Sequence, residues 1–358
     1  MNSNIFIKIK KHFISYKNYY LSIFKKIKKH FISYKNYYLS SPKKNALNYK
    51  PNPSYILEVI NLCKKYKPNS PWIINNLNFH IKKGEFHAFI GGNGAGKTTT
   101  IKSVIGAYAK FDGCVYIAGK NNFKKESKQF MGYIPEIARF PEGMSARNYL
   151  ISMCEMSGLS HHDSVKYTDN KLKEFNMQRL AKKSPNNFSS GQKKKILLAQ
   201  ALVHNPDLLI MDEPAANLDP IARIEFFNIL KKLQKEGKAI FISSHILSEL
   251  DKFADTCTVL DGGKIVYTGK VESDIPSYVI NINNKKKDEL FNLLKQNNLD
   301  FDQLDEFEWV INNFSNLGFL EELKNNEFIF NYFKHKRTLE NIYNTYVIKG
   351  SIETMKHV

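Results

Sequence analysis

The stretch Gly91–Thr98 constrains this sequence more than any other, because it has four glycines in eight residues and ends in Lys-Thr. Glycines let successive backbone N–H groups turn inward around an anion without interference from Cβ atoms. The run Glu85–Ile90 before it predicts a strand, and Thr99–Tyr108 after it predicts a helix whose positive end begins near Lys97. The pattern G-x-x-x-x-G-K-[ST] is typical of a loop in which the lysine contacts the β- and γ-phosphates and the following hydroxyl is a ligand of Mg²⁺. We therefore predict a nucleotide phosphate site; a simple glycine-rich turn is the alternative.

A second chemical signal lies at the end of the apolar run Asp207–Met211, which predicts a buried strand. Asp212 and Glu213 follow this run directly. Beside a phosphate loop, Asp212 is placed to hold the Mg²⁺ shell, and Glu213 can polarise the attacking water as a general base. An Asp-Glu pair after a strand can also be a helix N-cap, but the neighbouring phosphate loop favours the catalytic interpretation.

Short apolar runs alternate with helical patterns from Tyr55 to about Thr268, as an α/β sheet requires. Further strands are predicted at 56–59, 72–74 and 239–243, together with a hairpin of 256–260 and 264–267 across two glycines. After Pro276 the composition changes to Asn, Lys and Asp, with an amphipathic helix over 288–296. This second tract predicts a smaller domain.

Over residues 55–270 the sequence resembles the ATP-binding cassette (ABC) ATPases, because further motifs of that family accompany the two nucleotide motifs in the family's order. Tyr66 matches the aromatic residue that stacks on adenine. Phe188-Ser-Ser-Gly-Gln192 is similar to the signature, usually Leu-Ser-Gly-Gly-Gln, which caps the γ-phosphate held by the opposite subunit. Ala216–Pro220 is similar to the D-loop, which communicates across the dimer. Ser243-Ser-His245 matches the switch histidine that contacts the γ-phosphate.

Together, the motifs and the resemblance assign a set of site residues. The resemblance implies catalytic roles for Lys97, Glu213 and His245, and Mg²⁺ ligation by Thr98, Glu136 and Asp212. The residues predicted to bind ATP are Tyr66, Gly91, Asn93, Gly94, Ala95, Gly96, Lys97, Thr98, Thr99, Ser189, Gly191, Gln192 and Asp219.

Two positions depart from the family pattern. Met131–Glu136 resembles the Q-loop, but Glu136 stands where glutamine is usual. A carboxylate can still reach Mg²⁺ or water, and the substitution resembles exporter-type members of the family. Ser190 replaces the first glycine of the signature, and its Cβ and hydroxyl would crowd a loop that packs on phosphate. A slower or asymmetric ATPase, paired with a different half-site, is therefore an alternative.

The resemblance implies an α/β fold of the P-loop NTPase class, with a RecA-like core, a β-subdomain and a helical subdomain that starts near Phe140–Leu150. Arg337–Tyr343 is similar to a closing motif of exporter-class subunits, which carry a small α+β extension after the cassette. We therefore predict a basic N-terminal tail and linker at 1–53, an ABC ATPase domain at 54–275 and a C-terminal accessory domain at 276–358.

The N-terminal region is basic and contains a duplication. Twelve of the 53 Lys and Arg residues lie in the first 50 residues, which contain no acid, and the whole chain has a formal charge of +19. Residues 5–22 return as 23–40 with one mismatch, Ile7 against Lys25. We favour a disordered basic tail produced by a recent duplication. The second interpretation is a basic, aromatic-bearing helix that contacts an anionic membrane through residues 1–50.

The rest of the composition argues against several other classes of protein. Lys outnumbers Arg by 48 to 5, which weakens a nucleic-acid-binding role because guanidinium groups are scarce. The four cysteines have no metal-ligand spacing and predict reduced thiols. No apolar run approaches the roughly 18 residues of a membrane span, and the N-terminus lacks the apolar stretch of a signal peptide.

These observations predict an ATPase subunit, inclined towards export, that acts from the cytoplasmic face of the membrane on a separate polytopic permease. Two such subunits, or one with a homologous partner, would hold ATP and Mg²⁺ between the P-loop and the signature. No nucleic-acid partner is expected.

Two alternatives stay open. A soluble ABC ATPase acting on ribosomes or nucleic acid is disfavoured by the single cassette, and a degenerate regulatory subunit is disfavoured by Glu213 and His245.

Overall fold

The computed structural model describes residues 49–349, except 68, 273–275 and 336, and the duplicated tail predicted at 5–40 lies outside the described residues. The strands in chain order are β1 (Tyr55–Lys64), β2 (Ile74–Lys82), β3 (Phe86–Gly91), β4 (Asp112–Ile117), β5 (Lys120–Asn121), β6 (Met131–Ile134), β7 (Leu208–Met211), β8 (Ala239–Ser244), β9 (Thr256–Asp261), β10 (Lys264–Lys270), β11 (Ser277–Ile282), β12 (Phe301–Gln303), β13 (Glu308–Ile311) and β14 (Ile329–His335). The helices are α1 (Lys97–Val104), α2 (Lys125–Lys128), α3 (Ala146–Met156), α4 (His161–Glu174), α5 (Ser190–Ala201), α6 (Pro220–Lys235), α7 (Leu247–Leu250), α8 (Lys287–Gln296), α9 (Leu317–Asn325) and α10 (Leu339–Tyr343). Within this part of the chain, no helix has both the length and the apolar character to cross a bilayer.

The central sheet has the strand order β10-β9-β3-β8-β7-β6. Only the β9–β10 pair is antiparallel; the other neighbours are parallel. Every residue of β3, β7 and β8 is buried, as expected of parallel strands covered on both faces. Because these strands run in one direction, their carboxyl ends meet at a single edge of the sheet.

Two layers cover the central sheet. On one face lies the antiparallel sheet β2-β1-β4-β5, whose Ile56 and Leu57 share an apolar cluster with Phe89 and Phe241 of the central strands. On the other face lies a helical layer that includes α3, α5 and α6, with fully buried residues such as Leu150 and Leu198. The central sheet therefore has an apolar core on each face, and these two cores fix the edge where the carboxyl ends of its parallel strands meet.

The last part of the chain forms a separate antiparallel sheet of order β12-β13-β11-β14 with α8 and α9. Its apolar cluster is built around Trp309, which is 0% exposed and stacks on Phe301 with ring centroids 5.4 Å apart. This is an α+β arrangement with its own core. The boundaries proposed for the three parts of the chain stay predictions.

Several predicted strands and helices are confirmed, but the ends of some of them were predicted wrongly. The predicted hairpin is confirmed, since Asp261 pairs with Lys264, and the predicted helix over 288–296 corresponds to α8. The strand expected at 72–74 instead starts at Ile74 and runs to Lys82; Ile73 lies in a bend just before it, and its N–H donates to the Lys64 carbonyl of β1 at 2.8 Å. Likewise α1 ends well before residue 108, since Gly106 follows with φ 75°, a left-handed conformation that stops a helix.

Candidate nucleotide site

Four loops converge at the carboxyl edge of the central sheet. The phosphate loop follows β3, His245 follows β8, Asp212 and Glu213 follow β7, and Glu136 follows β6. Because β3, β8, β7 and β6 are neighbours in that order, residues far apart in sequence surround one space, as ligand sites in parallel sheets generally do. The space is a cavity of about 340 Å³.

Most of the predicted site residues line this cavity. Nine of them do so, namely Asn93, Gly94, Gly96, Lys97, Thr98, Thr99, Glu136, Glu213 and His245. Two further lining residues, Ile73 and Ala216, were not among the predicted site residues, and Gly92 belongs to the predicted loop but was not assigned individually. The predicted residues that do not line it are Tyr66, Gly91, Ala95, Ser189, Gly191, Gln192, Asp212 and Asp219.

The phosphate loop needs glycine at two points where neighbouring atoms come close. A Cβ on Gly91 would lie 2.4 Å from the Leu260 carbonyl oxygen. Gly96 has φ 106°, and a Cβ there would lie 2.6 Å from Ile74 Cγ2. The loop is therefore pressed between β9 and β2, with its chain entering α1 directly.

Lys97 already has oxygen partners within the chain. Its side chain is only 7% exposed, and its Nζ donates to the carbonyls of Gly91 at 2.8 Å and Gly92 at 3.2 Å. The carboxylate Oε1 of Glu213 lies 3.4 Å from the same ammonium. This ion pair connects the phosphate loop to the carboxylate that is predicted to act as general base.

Asp212 lies behind the cavity wall, 1% exposed. Its Oδ1 accepts hydrogen bonds from Thr98 Oγ1 at 3.1 Å and Ser243 Oγ at 3.0 Å. Burial raises the pKa of Asp212, and the nearby carboxylates of Glu136 and Glu213 raise it further. A carboxylate that is destabilised in this way is suited to a cationic partner.

Glu213 is held in an uncommon backbone conformation, with φ 45°. Its N–H donates to Ser243 Oγ at 3.0 Å, and its Oε2 accepts from His245 Nδ1 at 2.8 Å. Ser243 therefore links both acidic residues, a role that the sequence analysis did not assign. The available signal was a hydroxyl at the end of the apolar run that became β8.

Tyr66 lies beside the cavity and is 56% exposed. Its hydroxyl is 3.2 Å from Thr99 Oγ1 and 3.1 Å from the Tyr108 hydroxyl. The hydrogen bonds with Thr99 and Tyr108 lower the pKa of Tyr66, whereas burial raises the pKa of Tyr108 to about 12. The ring is anchored at its polar end, and much of its surface remains open to a ligand.

The signature residues lie at the start of α5, away from the cavity of their own chain. Ser189 is the N-cap and forms a capping box with Gln192. Ser190 is exposed and is the first helical residue, whereas a Cβ on Gly191 would lie 2.8 Å from Ala222 Cβ. Asp219 caps the next helix, its side chain accepting from the Ala222 N–H at 2.8 Å. Packing against Ala222 therefore requires glycine at position 191, the signature glycine that this chain keeps.

A buried lysine, which the sequence analysis did not single out, joins the signature helix to the Q-loop. Lys194 is 3% exposed and donates to the carbonyls of Pro135 at 2.8 Å and Glu136 at 2.6 Å. Burial lowers its pKa to about 8. It is one residue in a run of three lysines, so only the fold distinguishes it from its neighbours.

Comparisons with known proteins agree with this geometry. The family profile described as ABC transporter matches residues 74–216. A Mycoplasma pneumoniae protein described as an ABC transporter ATP-binding protein is 41% identical over 284 residues, which are 77% of this chain and 86% of the relative. A bacitracin transport ATP-binding protein of Bacillus licheniformis is 37% identical over 216 residues, covering 60% of this chain and 69% of the relative.

Solved structures give the same result for the fold. The structure of an ATP-binding subunit of an ABC transporter is 30% identical, with a TM-score of 0.55, and the match covers 60% of this chain and 90% of that one. A dimeric ATP-binding cassette in a post-hydrolysis state, bound to ADP and phosphate, is 25% identical with a TM-score of 0.55, covering 61% of this chain and 99% of that one.

Proposed function

Since this chain belongs to the ABC transporter family of ATP-binding proteins, we propose that it hydrolyses ATP to drive a separate membrane permease in the direction of export. The family and the fold class predicted from the sequence are confirmed by the comparisons. The observation that carries the proposal is the convergence of the phosphate loop, Glu213 and His245 on one cavity at the edge of the central sheet.

In this proposal the phosphates of ATP bind at the loop between β3 and α1. The backbone N–H groups of the loop and the positive end of α1 suit an anion. The Lys97 ammonium, which donates to the carbonyls of Gly91 and Gly92, would donate to the phosphate oxygens when ATP binds. Tyr66 stacks on the adenine, since its ring is 56% exposed while its hydroxyl is fixed beside Thr99.

Thr98 and Asp212 would hold Mg²⁺, with Glu136 at the cavity wall, and the ion would supply positive charge against the β- and γ-phosphates. The donor set fits a hard cation, because it consists of a hydroxyl and carboxylates, and burial raises the pKa of Asp212, which a bound cation would offset. Among the described residues no group of three or more His, Cys, Asp or Glu could hold a metal by itself. That is expected of Mg²⁺, which takes one or two protein ligands together with the phosphates.

In the proposed hydrolysis, Glu213 after β7 and His245 after β8 have separate roles. Glu213 accepts a proton from the attacking water, and its position is set by Ser243 at the backbone and His245 at the carboxylate. His245 is 48% exposed, so its ring can also contact a γ-phosphate. A positioned general base typically contributes about 10²–10⁴-fold to the rate.

A second cassette completes the site. Ser189, Gly191 and Gln192 lie at a helix N-terminus that does not line the cavity of this chain, and a helix N-terminus is suited to a phosphate. We propose that they contact the ATP held by a second ABC subunit, identical or homologous. The dimeric cassette among the similar structures supports this arrangement.

Replacing Glu213 by Gln tests the catalytic assignment. The variant should bind ATP and accumulate as an ATP-dependent dimer, while turnover falls by about 100-fold or more because the base is lost. ATPase assays and size-exclusion chromatography measure the two effects. Glu225→Gln makes the same chemical change at a carboxylate that is 54% exposed on α6 and should leave both unchanged. Normal hydrolysis by Glu213→Gln would refute the assignment.

The proposed transport role requires a membrane-spanning permease, to which this chain binds at the cytoplasmic face of the membrane. Relatives described as bacitracin and lantibiotic transport ATP-binding proteins support an exporter, as does Glu136 in the Q-loop. Solubilising membranes with a mild detergent and purifying this chain should recover a polytopic membrane protein with it. Recovery of ribosomes instead would favour the soluble alternative and contradict the transport role.

A further inference from the structure

The C-terminal strap, which we define as residues 337–347, leaves the C-terminal sheet and packs on the ATPase region. Leu339 and Ile342 are both 0% exposed. They belong to the apolar cluster of the central sheet, with Leu250 and Phe253, rather than to the cluster around Trp309. Burial of two aliphatic side chains in that cluster attaches the strap to the layers around the central sheet.

One end of the strap holds the helix that follows the switch histidine. The Leu339 N–H donates to the carboxylate of Asp251, the residue that directly follows α7. On the other side of α7, Arg223 donates to the carboxylate of Glu249 and, at 3.0 Å, to the carbonyl of Leu218 in the D-loop. The segment after His245 is thus fixed by the strap from one side and by the D-loop from the other.

The middle of the strap lies close to the phosphate loop. The Tyr343 hydroxyl is 3.4 Å from the position that a Cβ on Gly92 would occupy, which is van der Waals range for a side chain at that point. Gly92 also lines the cavity, and its carbonyl accepts from Lys97 Nζ at 3.2 Å. The hydroxyl of Tyr343 is therefore near Gly92, a loop residue whose carbonyl accepts a hydrogen bond from Lys97.

The flanks of the strap are clamped on β10. The guanidinium of Arg337 lies 5.1 Å from the centroid of the Tyr267 ring. The ring of Tyr346 lies 4.8 Å from the same ring. These contacts fix the strap before and after Tyr343 without involving the phosphate loop.

We infer that Tyr343 is a positioning residue for the nucleotide site, and that nucleotide binding and the docking of the strap stabilise each other. No residue of the strap lines the cavity, so the effect passes through Gly92 and through the helix after His245. The inference rests on nucleotide binding at the phosphate loop. Coupling between two sites is reciprocal. If the strap contact is stronger with the nucleotide-bound loop than with the free loop, nucleotide binding stabilises the strap by the same amount.

Hydrogen exchange of the full chain with and without Mg²⁺ and a non-hydrolysable ATP analogue tests this reciprocity. Peptides from 91–104 and from 339–347 should both exchange more slowly with nucleotide. In Tyr343→Ala the nucleotide-dependent slowing over 339–347 should disappear, and the KM for ATP should rise about fivefold, with kcat changed less than twofold. Tyr343→Phe removes only the hydroxyl near Gly92 and should raise the KM in the same direction, but by less than Tyr343→Ala.

Tyr346→Ala is the matched control, because it removes an equal side chain from the strap at a contact with Tyr267 rather than with Gly92. Its KM should remain that of the parent. Protection of 91–104 by nucleotide with unchanged exchange over 339–347 would overturn the inference, whether or not the alanine variant folds. A parent chain in which neither segment is protected would overturn the nucleotide site as well.

Discussion

The central sheet and the C-terminal sheet differ in what their cores contain. Around the central sheet the buried side chains include Lys97, Lys194, Asp212 and Ser243. In the described residues of the C-terminal sheet and its helices, the buried side chains are apolar and surround Trp309. Both regions have the burial needed for a stable fold. The difference shows that a sheet of this chain can form a core without buried charge, so the charged groups of the central region require a separate explanation.

Parallel pairing is the second difference, and it explains the first. Strands β3, β8, β7 and β6 all end at the same edge, whereas neighbours in the C-terminal sheet run in opposite directions. Loops at alternate ends cannot gather four polar groups around one space. Buried charge is costly unless it is paired, so it is concentrated where the topology brings partners together.

Truncating Trp309 should have the largest effect on stability and should affect one region only. Trp309→Ala removes a fully buried indole and should lower the free energy of unfolding of the C-terminal sheet by about 3–5 kcal/mol. Hydrogen exchange should accelerate over 277–335 and stay unchanged in β3 and β7. Phe330→Ala, at a side chain 66% exposed in β14, should change little. Equal acceleration in both regions would mean that the two sheets unfold as one unit.

The phosphate loop offers a smaller effect that separates packing from backbone strain. Gly96→Ala should destabilise the chain by about 3 kcal/mol, because a Cβ meets Ile74 and φ is left-handed, and it should abolish ATP binding. Gly143 has φ 73° with nothing within 4 Å of its Cβ position, so Gly143→Ala should cost only about 1 kcal/mol. Urea unfolding measures both. Equal destabilisation would show that the close approach of β2 to the loop does not matter.

The smallest effect is a pH dependence of the central region. Lys128 donates to the Ile105 carbonyl at 2.7 Å, and burial lowers its pKa from 10.5 to about 8. Between these pH values the unfolded chain binds more protons than the folded one, so this residue makes the free energy of unfolding rise with pH. Lys128→Met should flatten that rise and stabilise the chain by about 1 kcal/mol at pH 7, after the lost hydrogen bond is considered.

Urea unfolding between pH 7 and 9.5 measures this slope. Lys125→Met removes the same charge from an exposed position of α2 and should leave the slope as it is in the parent. An unchanged slope in Lys128→Met would show that the ammonium is not desolvated in the folded chain.

The sequence predicted the parts of the site that depend on local pattern. Glycines before Lys97, the apolar run before Asp212 and the hairpin across Gly262 each specify their structure within a few residues. Ser243 was visible as a residue, but its bonds to Asp212 and Glu213 require β7 and β8 to be neighbours. Lys194 lies in a run of three lysines, and only the packing of α5 against the Q-loop selects it. Long-range packing therefore limits what could be predicted.

The C-terminal sheet shows the same limit from another side. The helix over 288–296 was predicted because its apolar residues recur at a helical spacing. The strands β11 to β14 were not, because they are short or carry Asn, Glu and Lys on the outward positions, and their pairing joins residues as far apart as Ser277 and His335. Likewise nothing local indicated that Leu339 would be buried beside Leu250.

The ion pair of Lys97 with Glu213 makes ATP binding an exchange of ligands rather than the filling of an open site. In the proposed site, the ammonium exchanges contacts with Glu213 and with the carbonyls of Gly91 and Gly92 for contacts with a phosphate. Measured affinity is therefore a difference between two sets of contacts, and it understates the strength of the new one. Weakening the old set should tighten binding: the charge removed in Glu213→Gln raises affinity for ATP even before any loss of turnover is considered. The acidic residue that we propose as general base thus competes, in the chain without nucleotide, with the phosphate for the Lys97 ammonium.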